Sequence, residues 1–270
     1  MTSEYFRDCI KNNIPFIYCK YGDGEYLCIY KYIYNDNSLI SNCDNDTYTK
    51  NLSDKLCESL HYIVNYSNNN YIGKWNDDKI QKLFLSITTH PINYTSYHSF
   101  IFDEYDIETN NIVNKINIFK EIKNSNRKKI YVCNKLLIKA KILLNINNII
   151  NIGYSNWFDK DYENIFNQIK KCIVGSEDNS IIMFSCGMGG KVLISELYKL
   201  YPNCTYIDIG SGLDIICTKR NTRGFKYKYD DLYQKFVEND FIPNDWNHPK
   251  YDYIYDMALS KLGIHLPKNI

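Results

Sequence analysis

Short apolar runs rich in β-branched and aromatic residues alternate with longer stretches of helical periodicity along most of this chain, and that alternation limits its possible folds severely. Strand candidates fall at 16–19, 71–73, 129–133, 149–152, 181–185 and 205–209. Helix candidates fall at 25–34, 47–66, 77–85, 108–122, 135–144, 158–174, 191–200, 230–238 and 252–262. Strands separated by helices build a mostly parallel sheet covered on both faces, so the expected class is α/β. The 47–66 stretch shows the apolar spacing well, with Leu52, Leu56, Leu60 and Ile63 on one stripe and Asp46 placed to cap it. Residues 1–12 carry Glu4, Arg7, Asp8 and Lys11 among apolar positions, which suits an amphipathic helix rather than a secretory leader. The polar segment 35–46 reads as a long loop over the first strand end. With no internal repeat and no evident linker, residues 1–270 are expected to form a single domain.

Bulk properties exclude several classes. A formal net charge of +1 gives no global field that would call for nucleic acid or a membrane surface. No uninterrupted apolar run approaches the length needed to cross a bilayer, so no membrane insertion is expected. Ten cysteines are scattered from Cys9 to Cys217 without a Cys-x-x-Cys pair, a pattern of reduced, packed thiols in a cytosol-like compartment. A structural zinc site is not expected. Heavy use of Asn, Ile, Lys and Tyr points to an A+T-rich coding genome, so the 26 tyrosines carry little meaning one by one. Such a composition is compatible with a viral source, in which case the compartment would be the host cytoplasm.

Three unusual segments lie at the carboxyl ends of strand candidates, where ligands bind in open parallel sheets. The first is Lys20-Tyr21-Gly22-Asp23-Gly24-Glu25. Its two carboxylates supply hard oxygens for Mn²⁺ or Mg²⁺, ions commonly completed by substrate phosphates. Gly22 and Gly24 would permit positive φ and a close approach to a ligand. A plain surface turn is the alternative. The second, Ser185-Cys186-Gly187-Met188-Gly189-Gly190-Lys191, follows a strand and opens a helix, a geometry that cradles phosphate on backbone N–H groups. It is not a Walker loop, because Ser185 and Val192 stand where a glycine and a hydroxyl are needed. Its glycines equally suit tight helix–sheet packing, and Lys191 would face either an anion or solvent. The third, Tyr206-Ile207-Asp208-Ile209-Gly210-Ser211-Gly212, superficially resembles the first motif of Rossmann methyltransferases but falls near the end of the chain. Just beyond it lie Arg220 and Arg223, two of only four arginines, whose forks suit a diphosphate or an acidic acceptor.

Tyr21-Gly22-Asp23-Gly24-Glu25 resembles the Arg-[Phe/Tyr]-Gly-Asp-Gly-Glu signature of glycosyltransferases of the GT-D fold, once described only as a domain of unknown function. The resemblance continues in order through Asn42-Cys43-Asp44, Tyr71-Ile72-Gly73-Lys74-Trp75, Lys129–Asn134, Asn156-Trp157-Phe158, the loop 185–190 and Ile207-Asp208-Ile209-Gly210. It implies a Rossmann-like sheet and sugar transfer from a nucleotide-sugar donor, UDP-linked by preference, to a glycan or glycoprotein acceptor. By the resemblance, Asp23 and Glu25 hold a divalent ion, typically Mn²⁺, at the donor diphosphate. Read from the turns themselves rather than from the resemblance, Lys20, Tyr21, Gly22, Ser185, Gly187, Gly189, Gly190 and Arg223 are the further donor-binding candidates. Lys20 stands where the family has arginine, keeping the charge but losing the fork. After Asp214 the match fails, and acceptor residues cannot be carried across. Candidates for the base are Asp208 and Asp214, with His98 in reserve. Trp75, Trp157 and Trp246 are expected to pack rather than stack on sugar. Two rivals remain: an S-adenosylmethionine-dependent methyltransferase, and an inactive nucleotide-sugar-binding relative.

Overall fold

Seven strands form one sheet in which every neighbouring pair is parallel, in the order β3-β2-β1-β7-β6-β4-β5. They are β1 (Ile17–Lys20), β2 (Asn70–Lys74), β3 (Tyr94–Ser96), β4 (Lys129–Asn134), β5 (Asn148–Ile152), β6 (Ile181–Ser185) and β7 (Thr205–Asp208). This is a computed structural model, and it describes residues 3–102, 111–174, 179–218 and 229–246. The helices are α1 (Ser3–Lys11), α2 (Asp23–Tyr34), α3 (Lys50–Tyr66), α4 (Asp78–Ile87), α5 (Asn111–Asn124), α6 (Ala140–Leu143), α7 (Trp157–Ile173), α8 (Gly189–Leu200), α9 (Asp214–Thr218) and α10 (Tyr229–Glu238).

Strand pleating divides the core. Ile182 and Phe184 of β6 point into one apolar cluster and Ile181 and Met183 into the other. Helices α2, α3, α4, α7 and α8 cover the first cluster; α1, α5, α6, α9 and α10 cover the second. Burial on both faces explains why the strands read as continuous apolar runs. The expected Rossmann-like α/β sandwich is therefore the observed one.

The crossovers obey one hand. Steps β1→β2, β2→β3, β5→β6 and β6→β7 move along the sheet in one direction and pass over the first face. Steps β3→β4 and β4→β5 move the opposite way and pass over the second. A uniform crossover hand requires this correlation of direction with face. It also places the chain's divergence between neighbours β1 and β7. The chain leaves β1 for α2 on the first face and leaves β7 for α9 on the second. A crevice opens at such a switch point, outside the carboxyl ends.

Several expectations need correction. β3 was not foreseen: Tyr94-Thr95-Ser96 is too short and polar to read as a strand, and only its pairing with Ile72, Gly73 and Lys74 of β2 makes it one. Asp46 does not cap α3. That helix starts at Lys50, and Thr49 Oγ1 accepts the Leu52 amide at 3.2 Å. Burial places α3 more than its cap does, since Leu56, Leu60 and Ile63 are fully buried. Each such side chain is worth about 1.5–3 kcal/mol, against about 1 kcal/mol for a cap. The 135–144 stretch is a 3₁₀ turn (Lys135–Leu137) followed by the short α6, not one helix. The helix expected at 252–262 lies outside the described residues, as do Glu108, Arg220 and Arg223. All ten cysteines are thiols rather than disulfides, seven of them buried. No described helix is long and apolar enough to cross a membrane.

Candidate functional site

The turn after β1 is built around a buried carboxylate. Gly22 is the extended N-cap of α2 (φ −113°), and the Glu25 side chain reaches back so that Oε2 accepts the Gly22 amide at 2.9 Å. Neither Gly22 nor Gly24 has positive φ, contrary to expectation. A Cβ at residue 22 would sit 2.7 Å from the Tyr97 hydroxyl, whereas one at Gly24 would meet nothing closer than 3.8 Å. The first glycine is thus needed for clearance and the second is not. Tyr21 sends its ring into the core, 1% exposed, with its hydroxyl 2.8 Å from Ser59 Oγ. Only its backbone belongs to the turn.

The second turn rises from β6. Gly187 does adopt left-handed φ (+65°), and its carbonyl accepts Lys191 Nζ at 3.2 Å. Gly189 and Gly190 are packing glycines: a Cβ on the first would strike Trp157 at 2.7 Å, and on the second Cys186 Sγ at 2.8 Å. Ser185 Oγ donates to the Gly210 carbonyl at 2.5 Å and accepts the Tyr131 hydroxyl at 2.7 Å, tying the β6 and β7 ends together.

At the meeting point of all three turns lies a buried charge cluster. Lys191 Nζ is 2.8 Å from Glu25 Oε1 and 3.0 Å from Asp208 Oδ2, with all three side chains 6–7% exposed. Asp208 Oδ2 also accepts the Lys20 amide at 3.1 Å, and Lys20 Nζ donates to the Ile209 carbonyl at 3.2 Å. Burial pushes the Lys191 pKa down, but Asp208 and then Glu25 outweigh it and hold the ammonium well above the ordinary lysine pKa. Lys191 faces neither an external anion nor solvent. A sequence signal for this did exist: a lysine directly before Val192-Leu193-Ile194, at a helix start where a buried cation must find carboxylates.

Above this floor opens a cleft of about 680 Å³, lined by Lys20, Asp23, Glu25, Ser185, Gly187, Lys191, Asp208 and Asp214, and by His98. The loop between α2 and α3 contributes Asn42, Cys43, Asp44 and Asp46 to the lining and forms one wall. Asp46, expected as a helix cap, instead anchors this wall. Its Oδ1 accepts the Asn156 amide at 2.9 Å and its Oδ2 accepts Asn42 Nδ2 at 3.2 Å. Burial raises its pKa, partly offset by the Asn156 amide. Trp75 is half-buried at the mouth, edge-on to Tyr97 at 4.7 Å between centroids. Trp157 and Trp246 are buried, their indole N–H groups on the Cys186 and Ile216 carbonyls at 3.0 and 3.1 Å. Arg223 lies outside the described residues.

The divalent-ion site implied by Asp23 and Glu25 does not fit this geometry. Both residues are in the first turn of α2, two positions apart, so their side chains leave the helix about 160–200° apart and do not converge. Glu25 spends one oxygen on Lys191 and the other on the Gly22 amide. Asp23 is exposed, with Oδ1 on the Gly24 amide at 3.0 Å. Among the described residues no three His, Cys, Asp or Glu side chains converge as a metal-holding group.

Comparison with protein-family models and with curated proteins gives no match. Solved structures do match. One, described as a new glycosyltransferase (DUF1792) from Streptococcus sanguinis, is 13% identical, superposes with a TM-score of 0.54, and the match covers 87% of this chain and 96% of that one. A second, whose description states that the highly conserved domain of unknown function 1792 has a distinct glycosyltransferase fold, is 16% identical with a TM-score of 0.51, covering 87% and 92% of the two chains. At these identities the likeness is one of fold: the chain has the arrangement of the DUF1792 glycosyltransferase fold, as its motifs led one to expect.

Proposed function

We propose that this chain is a glycosyltransferase that binds a nucleotide-sugar donor in the cleft at the β1/β7 switch point and transfers the sugar to a hydroxyl of a glycan or glycoprotein. The supporting observation is the convergence of the three carboxyl-end turns on one cleft, in a sheet sharing the fold of the DUF1792 structures. The donor diphosphate belongs at the first turn of α8, beside Gly187 and within reach of Lys20, where helix N-terminal amides and an ammonium favour negative charge. Six carboxylates line the cleft (Asp23, Glu25, Asp44, Asp46, Asp208, Asp214) against two lysines, Lys20 and Lys191. That excess of acceptors suits sugar hydroxyls, and it confines a diphosphate to the lysine side.

In the transfer, the bond from the anomeric carbon to the diphosphate breaks and a bond to the acceptor oxygen forms, with the hydroxyl proton passing to a base. Asp208 is a poor candidate, because its carboxylate is committed to Lys191 and the Lys20 amide. Asp214, half-buried on the cleft lining at the start of α9, takes that role, with His98, also on the lining, as the alternative. The methyltransferase reading is disfavoured. The glycine turn after β7 is filled from within, since a Cβ at Gly210 would overlap Lys20 Nζ.

The test is a panel of nucleotide sugars, UDP-linked ones first, assayed for release of nucleoside diphosphate with and without simple glycan acceptors. Turnover is expected, and Asp214→Asn should lower it by about 10²–10⁴-fold with donor affinity unchanged. Binding of S-adenosylmethionine in place of any nucleotide sugar would favour the methyltransferase, and donor binding without turnover the inactive relative.

A further inference from the structure

Three oxygens from three separate turns surround Lys191 Nζ: Glu25 Oε1 at 2.8 Å, Asp208 Oδ2 at 3.0 Å and the Gly187 carbonyl at 3.2 Å. Two carboxylates and a carbonyl make the hard-oxygen set that a divalent ion takes. An ammonium carries three protons, and here three acceptors receive them. Burying a lysine among carboxylates yields little net stability compared with an apolar floor, so its presence calls for a purpose beyond packing.

Resting on the donor reading above, we infer that Lys191 is the resident cation of this cleft: its ammonium fills the place between Glu25 and Asp208 that a divalent ion would take, and the cleft binds a nucleoside diphosphate without one. Lys191 is a positioning residue. Its protons are spent on the floor: by bridging Glu25 and Asp208 it ties the β1, β6 and β7 turns in one arrangement, and its single charge offsets one of their two, lowering the negative field a diphosphate meets. The Asp-x-Glu pair is then a clasp rather than a chelate, with Glu25 holding the cation and the α2 cap together. A corollary follows from the charges. With the lysine side chain cut back, the floor keeps two carboxylates and a carbonyl around an empty place. Divalent metal–oxygen bonds are about 2.0–2.2 Å, so a contraction of about 1 Å or less would suffice to bind the ion.

Two arms test this on the full chain. In the first, UDP is titrated calorimetrically into the wild-type protein in EDTA and in MnCl₂. The dissociation constants should agree within about threefold, and tightening by more than about tenfold with Mn²⁺ would overturn the inference while leaving the donor reading intact. If UDP and the other nucleoside diphosphates bind in neither buffer, the donor reading fails and the second arm decides the cation question alone. In that arm MnCl₂ without nucleotide is added in thermal melts. The wild-type midpoint should not move; Lys191→Ala should melt lower and be raised by Mn²⁺, and Glu25→Gln in the Lys191→Ala background should abolish that rise. A Mn²⁺-dependent rise in the wild-type protein that Glu25→Gln removes would overturn the inference, as would a Lys191→Ala protein indifferent to Mn²⁺. Should Lys191→Ala not fold, Lys191→Ser replaces it, and the wild-type melts with and without Glu25→Gln remain decisive.

Discussion

Glu25 and Lys191 carry the argument at the scale of single residues. Removing one member of a buried charge cluster strands the others, so Lys191→Met should lose about 3–5 kcal/mol, read from the urea midpoint in EDTA. Asp208 and Glu25 raise the folded pKa of Lys191 above its unfolded value, so its contribution is fully present below the unfolded lysine pKa of about 10.4. The stability gap between wild type and Lys191→Met should therefore stay constant from neutral pH to about pH 10 and shrink only as pH rises through the higher folded value. The two glycines of the first turn should separate as sharply. Gly22→Ala pushes a methyl into the Tyr97 hydroxyl and should cost about 1–3 kcal/mol. Gly24→Ala makes only ordinary van der Waals contacts, with Asn42 and Met188 at 3.8 and 3.9 Å, and should be neutral or stabilising by up to about 1 kcal/mol. The sequence made the importance of 20–25 plain but not the direction of its carboxylates. Whether Asp23 and Glu25 lie in a turn or in the first turn of a helix decides whether they converge, and a one- or two-residue shift in a helix start lies below what periodicity resolves.

Among the elements, those with a long apolar period were legible and those made by tertiary pairing were not. Six strands announced themselves through β-branched and aromatic runs; β3 exists because β2 offers it an edge. The start of α3 shows the same limit, since both Asp46 and Thr49 are good caps by type and only the fold chooses between them. Thr49→Ala should cost about 1 kcal/mol in urea denaturation. Asp46→Ala should instead loosen the cleft wall, exposing the Asn156 amide to faster hydrogen exchange while leaving α3 amides protected.

Across the whole molecule, the sequence correctly placed three glycine turns at one sheet edge because the carboxyl-end rule is topological, whereas the strand order was not readable. That β7 inserts between β1 and β6 depends on pairings far apart in the chain, which no local pattern encodes. The segment carrying Arg220 and Arg223 lies outside the described residues. Thiol chemistry offers an independent map of the cleft. Cys43 is exposed on its lining, seven other cysteines are buried, and burial pushes half-buried Cys57 up to about 11. Iodoacetamide at pH 8 should label Cys43 first, by peptide mass mapping, and UDP should slow that labelling. The most direct measurement is a crystal structure of the protein with UDP. The account predicts the diphosphate between the Lys20 turn and the first turn of α8, above an intact Lys191–Glu25–Asp208 cluster. A nucleotide bound at the amino ends of the strands, or a cleft left empty at saturating UDP, would contradict it.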